Sequence, residues 1–152
     1  MESGSISEER IFAHEAHRLM DQIAKNKRVY EEACVSFFGV TSSQGSPILS
    51  LPLENTLRMN ELSSVMGVDN STMTRMVNHL VDKGLVLRKA DEKDRRLVRV
   101  GLTAAGRKLH EELAGALDNF YKDSLDQIPE EDRKTIIDSL TKVNSAIARV
   151  KF

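Results

Sequence analysis

Residues 59–84 read MNELSSVMGVDNSTMTRMVNHLVDKG. In the first part, residues 59–66, apolar side chains recur at helical spacing, and Gly67 follows them as glycine often follows the end of a helix. A second apolar pattern covers residues 70–83 and begins directly after Asp69, a residue type that commonly caps a helix N-terminus. Two helices joined by a short glycine turn predict a helix-turn-helix.

The helix predicted over residues 70–83 has two chemically different faces. At about 100° per residue, one side carries the apolar residues Met73, Met76, Val77 and Leu80. The candidate DNA contacts on this helix carry hydroxyl, guanidinium, amide or imidazole groups, which bond to base edges and phosphates. They are Ser71, Thr72, Thr74, Arg75, Asn78 and His79. The alternative interpretation is an ordinary solvated polar face.

A charged hairpin follows the two helices. Residues 85–89 and 97–102 have the composition and alternation of strands, and the intervening ADEKDRR (residues 90–96) is polar. A helix-turn-helix followed by a charged hairpin is a winged helix. The predicted fold class is therefore mainly α with a small β-wing, a winged helix-turn-helix with flanking helices.

Three basic residues, Lys93, Arg95 and Arg96, lie at the predicted tip of the hairpin. A guanidinium at the end of a narrow ribbon can enter a minor groove of DNA, where the electrostatic potential is strongly negative. Asp91 and Asp94 would repel phosphates, so we interpret them as partners that orient the tip arginines. The alternative is a solvated turn whose surface ion pairs contribute little stability.

Length and composition limit the class of protein. The chain has 152 residues, which predicts one domain or a dimerising subunit with one core. Its composition, 40% hydrophobic and 30% charged, is typical of a globular rather than a disordered or membrane protein. The net charge is −1, but residues 68–100 carry a local charge of +3, which suits a phosphate backbone. The polar N-terminus is unlike a signal peptide, and no apolar run approaches the ~20 residues of a membrane span. We expect a cytoplasmic protein with no membrane partner.

Helices are predicted on both sides of the winged helix. Apolar residues recur at three- and four-residue steps over residues 7–38, a helix about 45 Å long at its usual rise. Thr103 can cap a fifth helix, and a sixth begins near Pro129 with acidic residues in its first turn. The apolar stripes of these helices exceed what a small winged helix can cover, which predicts a homodimer.

A shorter helix is predicted between the first helix and the helix-turn-helix. Pro47 fits the first turn of a helix over residues 47–51, with Ser46 as its cap. Pro52 would end this helix, because a proline ring clashes inside a helix.

Residues 57–106 resemble the winged helix of the multiple-antibiotic-resistance regulator (MarR) family. The matching blocks are LRMNEL (57–62), MGVDNSTMTRMVNHLVDKGLV (66–86), DEKDRR (91–96) and LTAAG (102–106), in the order of the family. The resemblance implies that residues 1–152 form a single subunit, with residues 57–102 as the DNA-binding lobe and residues 1–38 and 103–152 as dimerisation helices.

The resemblance also implies a function. Members of the family are homodimeric transcription regulators, more often repressors than activators, that bind pseudo-palindromic operators in double-stranded DNA. By this resemblance the helix after Asn70 reads DNA, and Arg96, oriented by Asp94, reaches the minor groove. Arg58 departs from the pattern, in which a serine or threonine caps the third helix, so we expect that helix to begin without this bond.

Members of the family often bind small amphipathic or aromatic anions between the dimer interface and the DNA-reading lobe, and then lose affinity for DNA. A ligand-responsive repressor is therefore the function that the resemblance favours. The candidate ligand contacts are His14, His17, Phe37 and Phe38. The second helix of the family normally lines this pocket, and Pro47 and Pro52 are unusual in it.

Other interpretations stay open. His14 and His17 have a spacing that permits shared metal ligation, and the single Cys34, which has no partner for an intramolecular disulfide, could sense oxidants. The chain could also be a winged-helix protein-interaction module without an operator, although such modules more often expose apolar residues where this chain is basic. We expect no enzyme, because the chain has no glycine-rich phosphate loop, G-x-S-x-G or H-E-x-x-H. We expect no metal and no cofactor.

Overall fold

The computed structural model describes residues 2–91 and 93–150, with side chains from residue 8 onward. The elements in chain order are α1 (Glu2–Phe37), α2 (Ser42–Ser50), β1 (Leu57–Arg58), α3 (Met59–Met66), α4 (Asn70–Asp82), β2 (Val86–Ala90), β3 (Val98–Leu102), α5 (Ala104–Asp126) and α6 (Glu130–Ile147). The strands form one antiparallel sheet in the order β1-β3-β2. The chain divides into two compact units, one up to Ala114 and one from Gly115 onward. This is the predicted mainly α architecture with a small β-wing.

The helix-turn-helix forms as the sequence predicted. Helix α3 has the predicted bounds, and Gly67 follows it in the left-handed conformation with φ 64°, which favours glycine. Asp69 caps α4 by accepting a hydrogen bond of 2.9 Å from the backbone N–H of Thr72. Helix α4 ends at Asp82, one residue before the predicted end.

The core of the first unit lies under the helix-turn-helix and one face of the sheet. Nine of its fully or almost fully buried side chains come from α2 and the residue after it, α3, α4, the sheet and the first turns of α5. They are Ile48, Leu51, Leu62, Met73, Val77, Leu80, Val86, Val100 and Leu113. Burying one such side chain contributes about 1.5–3 kcal/mol to the stability of the folded state. The buried apolar side of α4 therefore keeps the polar side of the same helix pointing outward.

Alternation along the strands gives the sheet two different faces. Val86, Val100 and Leu102 are buried on the inner face. Their neighbours along the strands, including Lys89 and Arg99, belong to the opposite face, which we call the outer face. Strand β1 was not predicted, because two residues carry no period that a sequence can show.

Helix α2 corrects the prediction for residues 47–51. The helix begins at Ser42 rather than Pro47, and the side-chain oxygen of Gln44 accepts a hydrogen bond of 3.2 Å from the backbone N–H of Thr41. Pro47 therefore lies inside the helix, where it removes one backbone bond, but it is fully buried and its apolar contacts offset that loss. Pro52 does follow the end of the helix, as predicted.

A side chain from α5 adds a hydrogen bond to the Ile48 carbonyl, which also accepts the Leu51 N–H at 3.3 Å but has no donor from residue 52. Residue 52 would donate to the Ile48 carbonyl if the helix continued, but proline has no N–H. His110 Nδ1 lies 2.9 Å from this oxygen, and since a carbonyl only accepts, Nδ1 carries the proton. This bond joins α2 to α5 within the first unit.

The start of α5 is fixed to the end of the helix-turn-helix. Thr103 caps α5, as predicted, by accepting a hydrogen bond of 3.1 Å from the Gly106 N–H, and its hydroxyl donates to the Gly84 carbonyl at 2.7 Å. A Cβ atom on Gly106 would lie 1.9 Å from the Leu85 carbonyl oxygen. Only glycine permits this close approach of two backbones.

The second unit contains the rest of α5 and α6. Pro129 precedes α6, and acidic side chains occupy its first turn, where they complement the helix dipole. None of the α6 side chains is buried in the single chain. The exposed apolar residues of α6 are Ile137, Leu140, Val143 and Ile147.

Helix α1 is longer than predicted and largely uncovered. Its 36 residues correspond to about 54 Å. Apolar side chains along it are exposed in the single chain, namely Ile11, Phe12, Leu19, Met20, Ile23, Val29 and Phe37. No helix in the described part of the chain is long and apolar enough to cross a bilayer.

Candidate nucleic-acid interface

The polar face of α4 points away from the core. Ser71, Thr74, Arg75, Asn78 and His79 are exposed, whereas Thr72 is only half-exposed. The apolar face beneath them fixes this orientation, because Met73, Val77 and Leu80 are fully buried. The structure therefore brings five of the six candidate residues of this helix to one exposed surface.

The hydroxyl groups at the start of α4 are engaged in capping. Ser71 donates to one oxygen of Asp69, and Thr72 donates to the other at 2.7 Å. These hydrogen bonds hold the pKa of Asp69 far below its ordinary range, so the carboxylate stays ionised. Within the described residues, Asn78 and His79 make no such bond, and Arg75 makes one long bond to Thr72 at 3.4 Å.

The wing tip presents one oriented arginine. Asp94 accepts hydrogen bonds of 3.1 Å from both Nε and Nη2 of Arg96, as the sequence predicted. This pairing lowers the pKa of Asp94 and raises the pKa of Arg96. The Arg96 side chain is 90% exposed. Lys93 and Arg95 are exposed beside it, with no side-chain partner among the described residues.

Asp91 does not orient the tip arginines, which corrects the sequence interpretation. It is buried, and its Oδ2 accepts hydrogen bonds from Arg99 Nη1 at 2.8 Å and from Arg58 Nε at 3.4 Å. Its Oδ1 accepts the backbone N–H of Lys93 at 2.9 Å. The bond from Arg99, followed by that from the Lys93 backbone, holds the pKa of Asp91 far below its ordinary range.

Arg99 fixes the root of the wing to the segment before the helix-turn-helix. Its Nε donates to Thr56 Oγ1 and its Nη2 to the Thr56 carbonyl, both at 2.7 Å. Together with Asp91, these bonds connect the hairpin to the residues that precede α3. Sequence reasoning missed Arg99, although its position between Val98 and Val100 placed it on the other face of the strand.

A groove of about 490 Å³ separates the start of α4 from the wing. Its lining residues are Arg58, Met59, Asn60, Asn70, Thr74, Arg88, Arg96, Leu97 and Val98. Two of the sequence candidates, Thr74 and Arg96, therefore line one groove from opposite sides. Arg88, which the sequence analysis did not select, donates from Nη2 to the Thr74 carbonyl at 3.3 Å.

Helix α3 begins without a side-chain cap from Arg58, as expected. An arginine side chain has no acceptor, and Glu61 instead accepts the Arg58 backbone N–H at 2.7 Å. The Arg58 guanidinium is thus free to approach Asp91.

The candidate ligand contacts do not meet within one chain. His14 and His17 are exposed on α1, and 20 residues of continuous helix separate His17 from Phe37, about 30 Å. Phe37 is exposed, and Phe38 is half-buried, with the two rings edge to face at 5.2 Å.

The sensing alternatives receive no structural support in the described part of the chain. Cys34 is buried, and this burial raises the pKa of its thiol, which disfavours the reactive thiolate. Among the described residues, no group of three or more His, Cys, Asp or Glu side chains could hold a metal ion.

Comparison with known proteins identifies the family. The model of the MarR family matches residues 40–98. The HTH-type transcriptional regulator YwoH of Bacillus subtilis is 31% identical over 97 residues, which cover 64% of this chain and 70% of YwoH. The chain belongs to the MarR family. Because MarR proteins are DNA-binding transcription regulators, the expectation that the chain is not an enzyme agrees with this result.

Two further similarities refine the comparison. MdtR of Bacillus subtilis, an HTH-type transcriptional repressor, is 37% identical over 78 residues, which cover 51% of this chain and 50% of MdtR. The crystal structure of a MarR transcriptional regulator from Methanosarcina mazei Go1 is 25% identical, with a TM-score of 0.76 over 91% of this chain and 99% of that one. The winged helix-turn-helix predicted from the sequence is thus confirmed as a MarR fold.

Proposed function

We propose that this MarR-family protein is a homodimeric, ligand-responsive repressor that binds a pseudo-palindromic operator. The observation that carries the proposal is the exposed polar face of α4 beside a groove that Thr74 and Arg96 line together. MdtR, which is named as a transcriptional repressor and is 37% identical to this chain over 78 residues, supports repression. A regulator of this kind acts on chromosomal DNA, so we place it in the cytoplasm.

In the proposed complex, α4 enters the major groove and the wing tip enters the adjacent minor groove. The exposed side chains of α4 then contact base edges and phosphates. The proposed contacts are Ser71, Thr72, Thr74, Arg75, Asn78, His79, Lys93, Arg95 and Arg96, with Asp94 orienting Arg96. The hydroxyls of Ser71 and Thr72 are already bonded to Asp69, so we assign Arg75, Asn78 and His79 the larger share of sequence reading.

The homodimer is supported by the uncovered apolar surface of the single chain. Phe12 is 77% exposed and Ile23 is 56% exposed on α1. Ile137 and Ile147 on α6 are more than half exposed as well. Because soluble monomers rarely leave many large apolar side chains uncovered along one helix, a second copy of the chain is the expected partner.

Effector binding rests on the family and on the four aromatic and imidazole side chains. About 30 Å of α1 separates His17 from Phe37, so one small effector contacts either the histidine pair, His14 and His17, or the adjacent Phe37 and Phe38 of a given chain. Such an effector must bind a DNA-incompetent arrangement more tightly than the competent one.

The test is a titration of duplex DNA that the parent protein selects from a random library. We expect the logarithm of the binding constant to fall linearly with the logarithm of salt concentration between about 50 and 200 mM, because phosphate contacts release counterions. Failure to select any duplex, or a binding constant that salt leaves unchanged, would contradict the proposal. Either outcome favours the protein-interaction module.

A further inference from the structure

The outer face of the wing sheet carries a row of basic side chains from all three strands. Arg58 of β1 pairs with Arg99 of β3, and Arg99 pairs in turn with Lys89 of β2. Directly paired residues project from the same face of a sheet. This face is opposite to the one that buries Val100, so the row lies away from the core.

A cavity of about 310 Å³ lies over this row. Its described lining residues are Thr56, Arg58, Lys89, Asp91, Lys93 and Arg99. The volume is at the lower end of the range for sites that hold small molecules, about 300–1,000 Å³. None of these six residues is aromatic, so the lining suits a compact polar group rather than an aromatic ring.

The charge of the lining is unbalanced. Among the described lining residues, four cationic side chains face one carboxylate, that of Asp91. Both oxygens of Asp91 already accept hydrogen bonds, from Arg99, Arg58 and the Lys93 backbone. The carboxylate therefore neutralises one charge and leaves a surplus of three positive charges on the lining residues that the structure describes.

Several hydrogen-bond donors of the lining remain unused. Arg99 makes three bonds from a guanidinium that has five N–H groups. Within residues 8–91 and 93–150, the Nη atoms of Arg58 and the ammonium groups of Lys89 and Lys93 have no partner. Because Thr56 and Asp91 hold Arg99 in place, part of this donor set is already positioned before any ligand arrives.

We propose that this outer wing pocket binds a phosphate group. Guanidinium forks and several convergent donors match a tetrahedral oxyanion. A phosphate group, with one negative charge in a DNA diester and about two in a monoester, offsets part of the surplus. The group comes either from duplex DNA that flanks the operator or from a free phosphorylated solute. The described lining of the pocket contains no residue of α4, although Arg58 also lines the groove beside α4 and Lys93 is also a proposed operator contact. Only the flanking-DNA source rests on the proposed operator binding.

The experiment compares Lys89→Glu with Lys108→Glu, which reverses the charge of an exposed lysine on α5. In the first arm, inorganic pyrophosphate is titrated while the backbone amide signals of Thr56 and Arg99 are followed by NMR. If the source is a free phosphate, the parent shows saturable shifts, Lys89→Glu weakens this binding by about tenfold or more, and Lys108→Glu matches the parent.

In the second arm, the selected operator is placed in a duplex of about two helical turns and in one of about four. If the source is flanking DNA, the parent binds the longer duplex more tightly, and Lys89→Glu abolishes this advantage while Lys108→Glu keeps it. If Lys89→Glu, but not Lys108→Glu, loses pyrophosphate binding or loses the advantage of the longer duplex, the result supports the pocket and identifies the source of the phosphate. If the two variants behave alike in both arms, the proposal of a phosphate pocket is overturned. Binding of the short duplex by the parent tests the proposed function separately.

Discussion

The carboxylate of Asp94 forms a bidentate ion pair with the guanidinium of Arg96 at the tip of the wing. Oδ1 accepts from Nε and Oδ2 accepts from Nη2, both at 3.1 Å, and Oδ1 also accepts the Arg96 backbone N–H at 3.0 Å. Because the arginine side chain is 90% exposed, burial does not fix its direction. A bidentate pair of this kind fixes the plane of the guanidinium as well as its position.

We expect both Arg96→Ala and Asp94→Ala to weaken binding to the selected operator. Arg96→Ala removes a minor-groove contact, and its effect should be similar across operator variants because the minor groove carries a degenerate code. Asp94→Ala removes a negative charge, so simple electrostatics predicts tighter binding, whereas the orienting role predicts weaker binding. Fluorescence anisotropy at two salt concentrations distinguishes the two.

The control for this pair is Asp118→Ala, which removes an exposed carboxylate of α5. It changes the net charge as Asp94→Ala does but leaves the wing intact. If Asp94→Ala binds as tightly as this control or more tightly, Asp94 does not orient Arg96, while DNA binding itself stands.

Asp91→Asn should destabilise the protein in a pH-dependent way. Bonding to Arg99 lowers the pKa of Asp91 in the folded state below its unfolded value of about 3.9. Its contribution is therefore fully present above that value and is lost as pH falls toward the folded pKa. We expect the free energy of unfolding in urea, measured between about pH 7 and pH 2.5, to be larger for the parent than for the variant. This difference should become smaller below about pH 4. A gap that stays constant would mean that the ionised carboxylate is not what stabilises the wing root.

The helix-turn-helix could be predicted because its signals are local and agree. The apolar period, the glycine turn and the Asp69 cap all lie within residues 59–84. Helix α2 was misplaced because Pro47 fits a first turn equally well, and only its burial in the folded chain shows why an interior proline is tolerated. The local sequence pattern alone did not distinguish a proline in the first turn of a helix from a proline in its interior.

The parts of the site that the sequence did not reveal depend on pairing across long stretches of chain. Arg58 and Asp91 are 33 positions apart, and Thr56 and Arg99 are 43 apart. Neither pair has a spacing signature, since strand register brings them together. Asp94 and Arg96 are two positions apart, so their pairing could be predicted.

Replacing either of two α5 glycines with alanine should change the stability of the protein, in opposite directions for the two positions. Gly106→Ala forces a Cβ to within 1.9 Å of the Leu85 carbonyl oxygen, and we expect a loss of about 1–3 kcal/mol in the free energy of unfolding. Gly115 has open space around it within the same helix, so Gly115→Ala should gain about 0.5–1 kcal/mol. Urea unfolding of both variants tests this, and an equally stable Gly106→Ala would contradict the packing of α5 on Leu85.

The proposed dimer predicts a mass of about twice 17.0 kDa by light scattering. Ile23→Asp introduces a charge among the exposed apolar side chains of α1 and should shift the protein toward monomer. Asn26→Asp, a charge placed at an exposed polar position of the same helix, serves as the control and should remain dimeric. A parent protein that is monomeric at micromolar concentration would remove the dimer from the proposal.

Arg75→Ala should show whether Arg75 on α4 contacts the DNA bases or only the phosphate backbone of the DNA. Arg75 is exposed, and its one bond to Thr72 is 3.4 Å long, so its guanidinium can turn toward DNA. A bidentate contact to guanine predicts a loss of about 1–3 kcal/mol that is confined to one position of each half-site. A phosphate contact predicts a uniform loss across operator variants, with the salt slope reduced by about one. Titration of single-position operator variants at two salt concentrations separates these outcomes, with Lys108→Ala as a control of equal charge. An Arg75→Ala protein that binds every duplex like this control would exclude Arg75 from the DNA-contacting face.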